Sequence, residues 1–273
     1  MPFEASPESR RPPARKRWGQ HFLARGETAD RIVNAARVAP TDTVVEVGPG
    51  EGALTRPLAR RAARLLAIEI DPLRAEALGR ELEGVARVRI LRGDVLEKPF
   101  GSWLAEAGWQ GPALLVANLP YNAATPILLA AIEEPAVIFR SVATVQKEVA
   151  RRFVAGPGDA EYGYLSVRVA AYARGRLLFD LPPAAFRPRP KVVSTVLELS
   201  PTEALDPARR AGALRLASLG FRTRRKTLAN ALAQAGGRTH WERALESMGK
   251  DRRARAEELS LADFLDLAGS APP

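Results

Sequence analysis

Asn118-Leu119-Pro120-Tyr121 combines residue types that suit one chemical problem. An exocyclic adenine amine is a poor nucleophile, because its lone pair is delocalised into the ring. The side-chain oxygen of Asn118 and the backbone carbonyl of Leu119 can accept both amine hydrogens. That pulls the nitrogen toward a tetrahedral form and aims its lone pair. Pro120 stiffens the turn that presents the Leu119 carbonyl. The Tyr121 ring can stack on the base, an interaction worth about 1–3 kcal/mol. Taken alone, the same residues also describe an Asn-Pro turn beside a core tyrosine.

A second cluster is Glu46-Val47-Gly48-Pro49-Gly50-Glu51-Gly52. Glycines such as Gly48 and Gly50 permit tight backbone angles and let the chain approach a ligand closely. A glycine loop alone is an ordinary tight turn. Here Glu69 follows 21 residues after Gly48, where a doubly wound nucleotide site places an acid for ribose hydroxyls. The G-x-G-x-G spacing, with Ala53 next, departs from the G-x-G-x-x-G of dinucleotide sites and disfavours a dehydrogenase. S-adenosylmethionine has no phosphate and carries a cationic ammonium and sulfonium. Glu46 and Glu51 suit that ligand, although each alone also fits a helix-start charge. Asp94, after Gly93, is placed to accept from a cofactor adenine amine. An N-cap or Asx turn explains it equally well. A sulfonium donor is already activated, so no strong general base is needed. The chain has no Cys and two His, which excludes a thiolate metal site and a Cys nucleophile and leaves little for a Ser-His-Asp triad.

These residues need strands and helices to position them. Short apolar runs at Thr43–Val47, Leu65–Ile70, Val88–Leu91, Ala113–Ala117 and Phe139–Val145 read as buried strands. Helical patterns run from Gly26 to about Val38, Gly52 to Arg61, Pro72 onward, Thr125 to Ile132 and Lys147 to Phe153. Tyr164–Ala173 is expected to be helical, with late strands at Arg176–Asp180 and Val192–Leu199. The alternation predicts an α/β doubly wound, Rossmann-like sheet over residues 16–200. From 201 to 273 the chain is Ala/Leu/Arg-rich with helical periodicity, which predicts a small all-α domain. Residues 1–15 read as a disordered basic arm.

At this resolution of motif the sequence resembles the ribosomal RNA adenine dimethyltransferases, of the bacterial small-subunit type. The matching stretches are Gly19-Gln20-His21-Phe22-Leu23, the glycine loop through Thr55, Ala67-Ile68-Glu69-Ile70-Asp71, Gly93-Asp94-Val95-Leu96 and Asn118-Leu119-Pro120-Tyr121-Asn122. Further matches are Val145 to Ala150, Phe186-Arg187-Pro188-Arg189-Pro190-Lys191-Val192 and Phe221-Arg222-Thr223-Arg224-Arg225-Lys226-Thr227-Leu228. The resemblance implies a class I S-adenosylmethionine-dependent methyltransferase fold with a C-terminal helical domain. It implies methylation at N6 of two adjacent adenines in a hairpin loop near the 3′ end of small-subunit (16S) rRNA. His21 and Leu23 then fall where the family's N-terminal motif touches the cofactor, although many members have Asn in place of His21. Gly48 lies under the methionine part, Glu69 on the ribose and Asp94 on the adenine. Asn118 spans cofactor and target amine. Tyr121 and Phe186 fit the pair of rings that sandwich a flipped adenine. A core position is the competing reading of Phe186.

Charge points the same way. The chain carries 41 Lys+Arg against 31 Asp+Glu, a formal charge of +10, which favours a polyanion partner. Of the basic residues 35 are Arg, whose planar fork suits phosphate and bases. Positions 207–241 hold eight Arg and Lys residues and no acid. Arg222, Arg224, Arg225 and Lys226 are therefore candidates for gripping the rRNA backbone, with a solvated helix face as the competing reading. Arg10, Arg11, Arg15, Lys16 and Arg17 could do so from the arm. No apolar run approaches the roughly 20 residues of a membrane span, and the start lacks a signal-peptide core. A cytoplasmic monomer acting on the immature small ribosomal subunit is expected. Alternatives are a large-subunit rRNA adenine methyltransferase of the macrolide-resistance type, an assembly checkpoint factor and, more remotely, a DNA adenine methyltransferase.

Overall fold

The computed structural model describes residues 20–271 except Arg224. A two-residue strand, β1 (Phe22–Leu23), opens it, followed by α1 (Gly26–Ala36), β2 (Thr43–Val47), α2 (Thr55–Arg61), β3 (Arg64–Glu69), α3 (Pro72–Glu81) and β4 (Val88–Arg92). Next come α4 (Phe100–Glu106), β5 (Ala113–Asn118), α5 (Ala124–Glu133), β6 (Ile138–Gln146), α6 (Lys147–Val154) and α7 (Tyr164–Ala170). β7 (Ala173–Leu181), β8 (Phe186–Arg187) and β9 (Ser194–Pro201) complete the strands. The C-terminal part is helical: α8 (Pro207–Arg222), α9 (Leu228–Ala231), α10 (Arg238–Ser247) and α11 (Leu261–Gly269).

The main sheet has the order β4-β3-β2-β5-β6-β9-β7. Its first five strands are parallel, and β9 runs antiparallel to both neighbours. Alternate residues of each parallel strand face opposite layers. Val45, Leu66 and Leu115 pack with Trp103 of α4 and Leu128 of α5. Val44, Leu65 and Leu114 pack with Ile32 of α1 and Leu58 of α2. Both faces are thus covered, as near-continuous apolar strands require. The chain winds outward from β2 to β4 and then returns to β5 on the other side. The order reverses between β2 and β5, and the carboxyl ends of these two strands border the crevice where open α/β sheets bind ligands.

Several boundaries differ from expectation for physical reasons. The second helix starts at Thr55 rather than Gly52, because Gly52 has φ +76° and stays in the turn. The expected helix Tyr164–Ala173 stops at Ala170, because Ala173 pairs with Pro201 and begins a strand. α4 was not foreseen; it is short and is held by burial of Phe100, Trp103 and Leu104. Trp241 and Phe264 centre a third core, in the helical part. That core also takes Tyr162 and Val167, from before residue 201. No helix among the described residues is long and apolar enough to cross a membrane.

Candidate active site

The glycine loop leaves β2 with three left-handed residues, Gly48 (φ +68°), Gly50 (φ +56°) and Gly52. A side chain at Gly50 would be strained, because its φ of +56° is left-handed. A Cβ there would lie 2.6 Å from the Phe22 ring, which would have to move. The Glu69 carboxylate, at the end of β3, ties this loop down. One oxygen accepts the Gly50 N–H and the other the Asp71 N–H, both at 2.9 Å. Burial pushes the Glu69 carboxyl up, and these two amides oppose it. Each oxygen retains a lone pair for a further donor such as a ribose hydroxyl.

Glu46, on β2, is 2% exposed, and its Oε2 has no hydrogen-bond partner among the described residues. Burial pushes its carboxyl up to about 8, opposed by the Thr55 side chain, reinforced by the Glu69 charge and opposed again by Arg56. It lines a narrow cleft with Phe22, Leu23, Gly48, Glu51 and Asn118. A buried carboxyl with an unmet acceptor, opening on such a cleft, fits a cationic ligand group.

Asn118 is the last residue of β5, next to Gly48 across the crevice. Its Nδ2 donates to the His21 carbonyl at 2.8 Å. That bond turns the amide so that Oδ1 is the remaining acceptor. Oδ1 is buried and without a partner among the described residues, a costly state unless a ligand donor meets it. The Leu119 N–H donates to the Thr144 carbonyl of β6, which fixes the adjoining peptide. Pro120 lies 3.8 Å from where a Gly48 Cβ would stand, so the motif and the loop abut. The Tyr121 hydroxyl meets Ser194 Oγ at 2.5 Å, and its ring lies 5.0 Å from the His21 ring. Burial pushes the Tyr121 phenol up.

Other expectations fare differently. Leu23 lines the cleft and pairs with Phe186 in a β1–β8 ribbon. Phe186 itself is 2% exposed and packs in the core with Leu181, Ala185 and Val196. The ring expected to sandwich a base with Tyr121 is therefore a core ring in this structure. Its side chain joins the core beneath the ribbon, and the His21 ring lies beside Tyr121. Asp94 is half-buried, and its Oδ1 caps the following turn through the Leu96 N–H at 3.0 Å. Its other oxygen remains an acceptor for a cofactor amine. Arg222, Arg225 and Lys226 are exposed at the connection between α8 and α9, on the helical part. Arg224 and the arm at 1–15 lie outside the described residues. No group of three or more His, Cys, Asp or Glu suited to a metal occurs among the described residues.

Sequence reasoning missed three apolar side chains, Ile70, Leu73 and Leu96, exposed by 40–48%. They come one or two residues after Glu69, Asp71 and Asp94, just beyond the carboxyl ends of β3 and β4, and suit the faces of a nucleobase. Their positions one or two residues beyond each acid were the available signal.

The model of the ribosomal RNA adenine dimethylase family matches residues 12–271. The chain belongs to that family. It is similar to the ribosomal RNA small subunit methyltransferase A of Methylococcus capsulatus, at 43% identity over 95% of this chain and 98% of that protein. The protein of the same name from Pelotomaculum thermopropionicum is 40% identical over 94% and 90%. Among solved structures, the 23S rRNA methyltransferase ErmE superposes with a TM-score of 0.70 at 26% identity, over 92% of this chain and 99% of that one. A dimethyladenosine transferase from Plasmodium falciparum shares the fold, with a TM-score of 0.76 at 24% identity over 90% and 96%. Membership matches the class I methyltransferase fold and the rRNA adenine chemistry inferred from the motifs.

Proposed function

We propose that this chain transfers methyl groups from S-adenosylmethionine to N6 of adenines in small-subunit rRNA, forming dimethyladenosine in a hairpin loop near the 3′ end. The observation that carries the reading is the unmet Asn118 Oδ1 beside Gly48, where β2 and β5 part. The cofactor fits the residues present. Glu69 would hold the ribose, Asp94 the adenine amine, Ile70 and Leu96 its faces, and Glu46 the cationic end. When bound, it supplies a methyl group on positively charged sulfur. The protein's part is positioning. Asn118 Oδ1 and the Leu119 carbonyl accept the two amine hydrogens and aim the nitrogen lone pair. Tyr121 carries the base. The amine nitrogen gains a methyl and sheds a proton, which needs no dedicated base once the nitrogen is alkylated.

Small-subunit specificity is supported by the 40–43% identical relatives, against 26% for the large-subunit enzyme ErmE. The exposed Arg222, Arg225 and Lys226 would grip phosphates, and the enzyme would act as a cytoplasmic monomer on the immature subunit. The test is methylation of immature small subunits from a strain lacking the activity. Mass spectrometry should find dimethyladenosine near the rRNA 3′ end. Its absence there, with methylation of naked large-subunit rRNA, would transfer the activity to the other substrate.

A further inference from the structure

His21 stands one residue before β1, opposite Pro188, which stands one residue after β8. Its backbone carbonyl and its ring do separate things. The carbonyl holds the Asn118 amide at 2.8 Å. The ring donates through Nδ1 to the Pro188 carbonyl at 2.7 Å and lies 5.0 Å from the Tyr121 ring, tilted 31°.

Tyr121 needs that second contact. Its hydroxyl is fixed by the Ser194 side chain, which is fully buried. The hydroxyl oxygen, however, lies on the axis about which the ring turns. A bond on that axis sets where the ring ends and leaves its plane undetermined. A flat group packed on the ring sets the plane. The imidazole is suited to this because its own plane is fixed off-axis, by the Nδ1–Pro188 bond. The order of constraint is thus Pro188, His21, Tyr121.

We propose that the His21 ring is a positioning residue of the base pocket: it sets the plane of Tyr121 against which the target adenine stacks, and it serves the RNA side of the cleft rather than the cofactor side. This rests on the adenine methylation proposed above. Because a side-chain substitution leaves the backbone carbonyl in place, Asn118 keeps its orientation in such variants.

The test uses the full chain with His21→Ala, His21→Phe and His21→Gln. Three quantities are read: S-adenosylmethionine affinity by calorimetric titration, kcat and KM on immature small subunits at saturating cofactor, and fluorescence of 2-aminopurine placed at a target position in a hairpin RNA. In His21→Ala, cofactor Kd and subunit KM should stay within about twofold of wild type, while kcat falls roughly tenfold and 2-aminopurine quenching weakens. His21→Phe keeps a ring but loses the Nδ1–Pro188 bond, so its kcat and quenching should fall between those of His21→Ala and wild type. His21→Gln keeps a donor for Pro188 without a ring, and should resemble His21→Ala. Wild-type kcat and quenching in His21→Ala, or His21→Phe as impaired as His21→Ala, overturns the proposal. So does a roughly tenfold weaker cofactor Kd with quenching intact. If the wild type methylates no rRNA at all, the functional reading fails first, and that outcome is distinct from these.

Discussion

Glu46→Gln exchanges a buried, unmet carboxyl for a neutral group of the same shape. In the cofactor-free protein the Glu46 carboxyl is held up to about 8, against 4.5 for an ordinary glutamate. Between those values the native state keeps a proton that the unfolded chain has lost. The associated stability is fully present below pH 4.5 and is lost as pH rises through about 8. At about 1.4 kcal/mol per pH unit, the whole window corresponds to an upper value of about 5 kcal/mol, and the interval from about pH 5.5 to 8 to about 3 kcal/mol. Glutamine cannot ionise, so it removes this slope and leaves those of Glu69 and every other group. The assay is urea unfolding of both proteins without cofactor at each pH. Wild type should lose about 3 kcal/mol more than Glu46→Gln between the two conditions. Equal losses in the two proteins would refute the reasoning, because Glu46 would then be ionised in the native state at both pH values.

Asn118→Ala should lower kcat about 100-fold, by analogy with the loss of one aimed hydrogen-bonding group in other active sites, while rRNA binding persists. Methyl incorporation and a gel-shift titration separate the two, and retained binding with blocked subunit maturation would expose a checkpoint role. Gly50→Ala forces a Cβ against Phe22 at φ +56°, so cofactor affinity measured by calorimetry should fall at least about tenfold. Trp241→Ala empties the centre of the helical part, where Trp241 is fully buried, and should cost about 3–5 kcal/mol in denaturant unfolding. Arg225→Ala and Lys226→Ala should each weaken rRNA binding and reduce the slope of log affinity against log salt by about 0.7–1.

The local pieces of this protein are written in its sequence. Short apolar runs gave the parallel strands nearly to the residue, because strands buried on both faces leave a continuous apolar signature. Glycines 48, 50 and 52 were recognisable because left-handed backbone favours glycine, and Asn118 through Tyr121 because few residue sets can aim an amine. The charge imbalance around 207–241 was legible by counting. What the sequence could not decide was which distant pieces meet. Asn118 and the His21 carbonyl are 97 positions apart, and Tyr121 and Ser194 are 73 apart. Only the reversal of strand order between β2 and β5 sets the glycine loop against the asparagine motif. The same holds for Phe186 and His21. A phenylalanine beside two prolines can face a base or a core with the same local backbone, and Phe186 here packs among core residues from distant segments. His21 and Tyr121, 100 positions apart, meet in the same way. Residue type decides what a group can do, and long-range pairing, which leaves no local trace, decides what it faces.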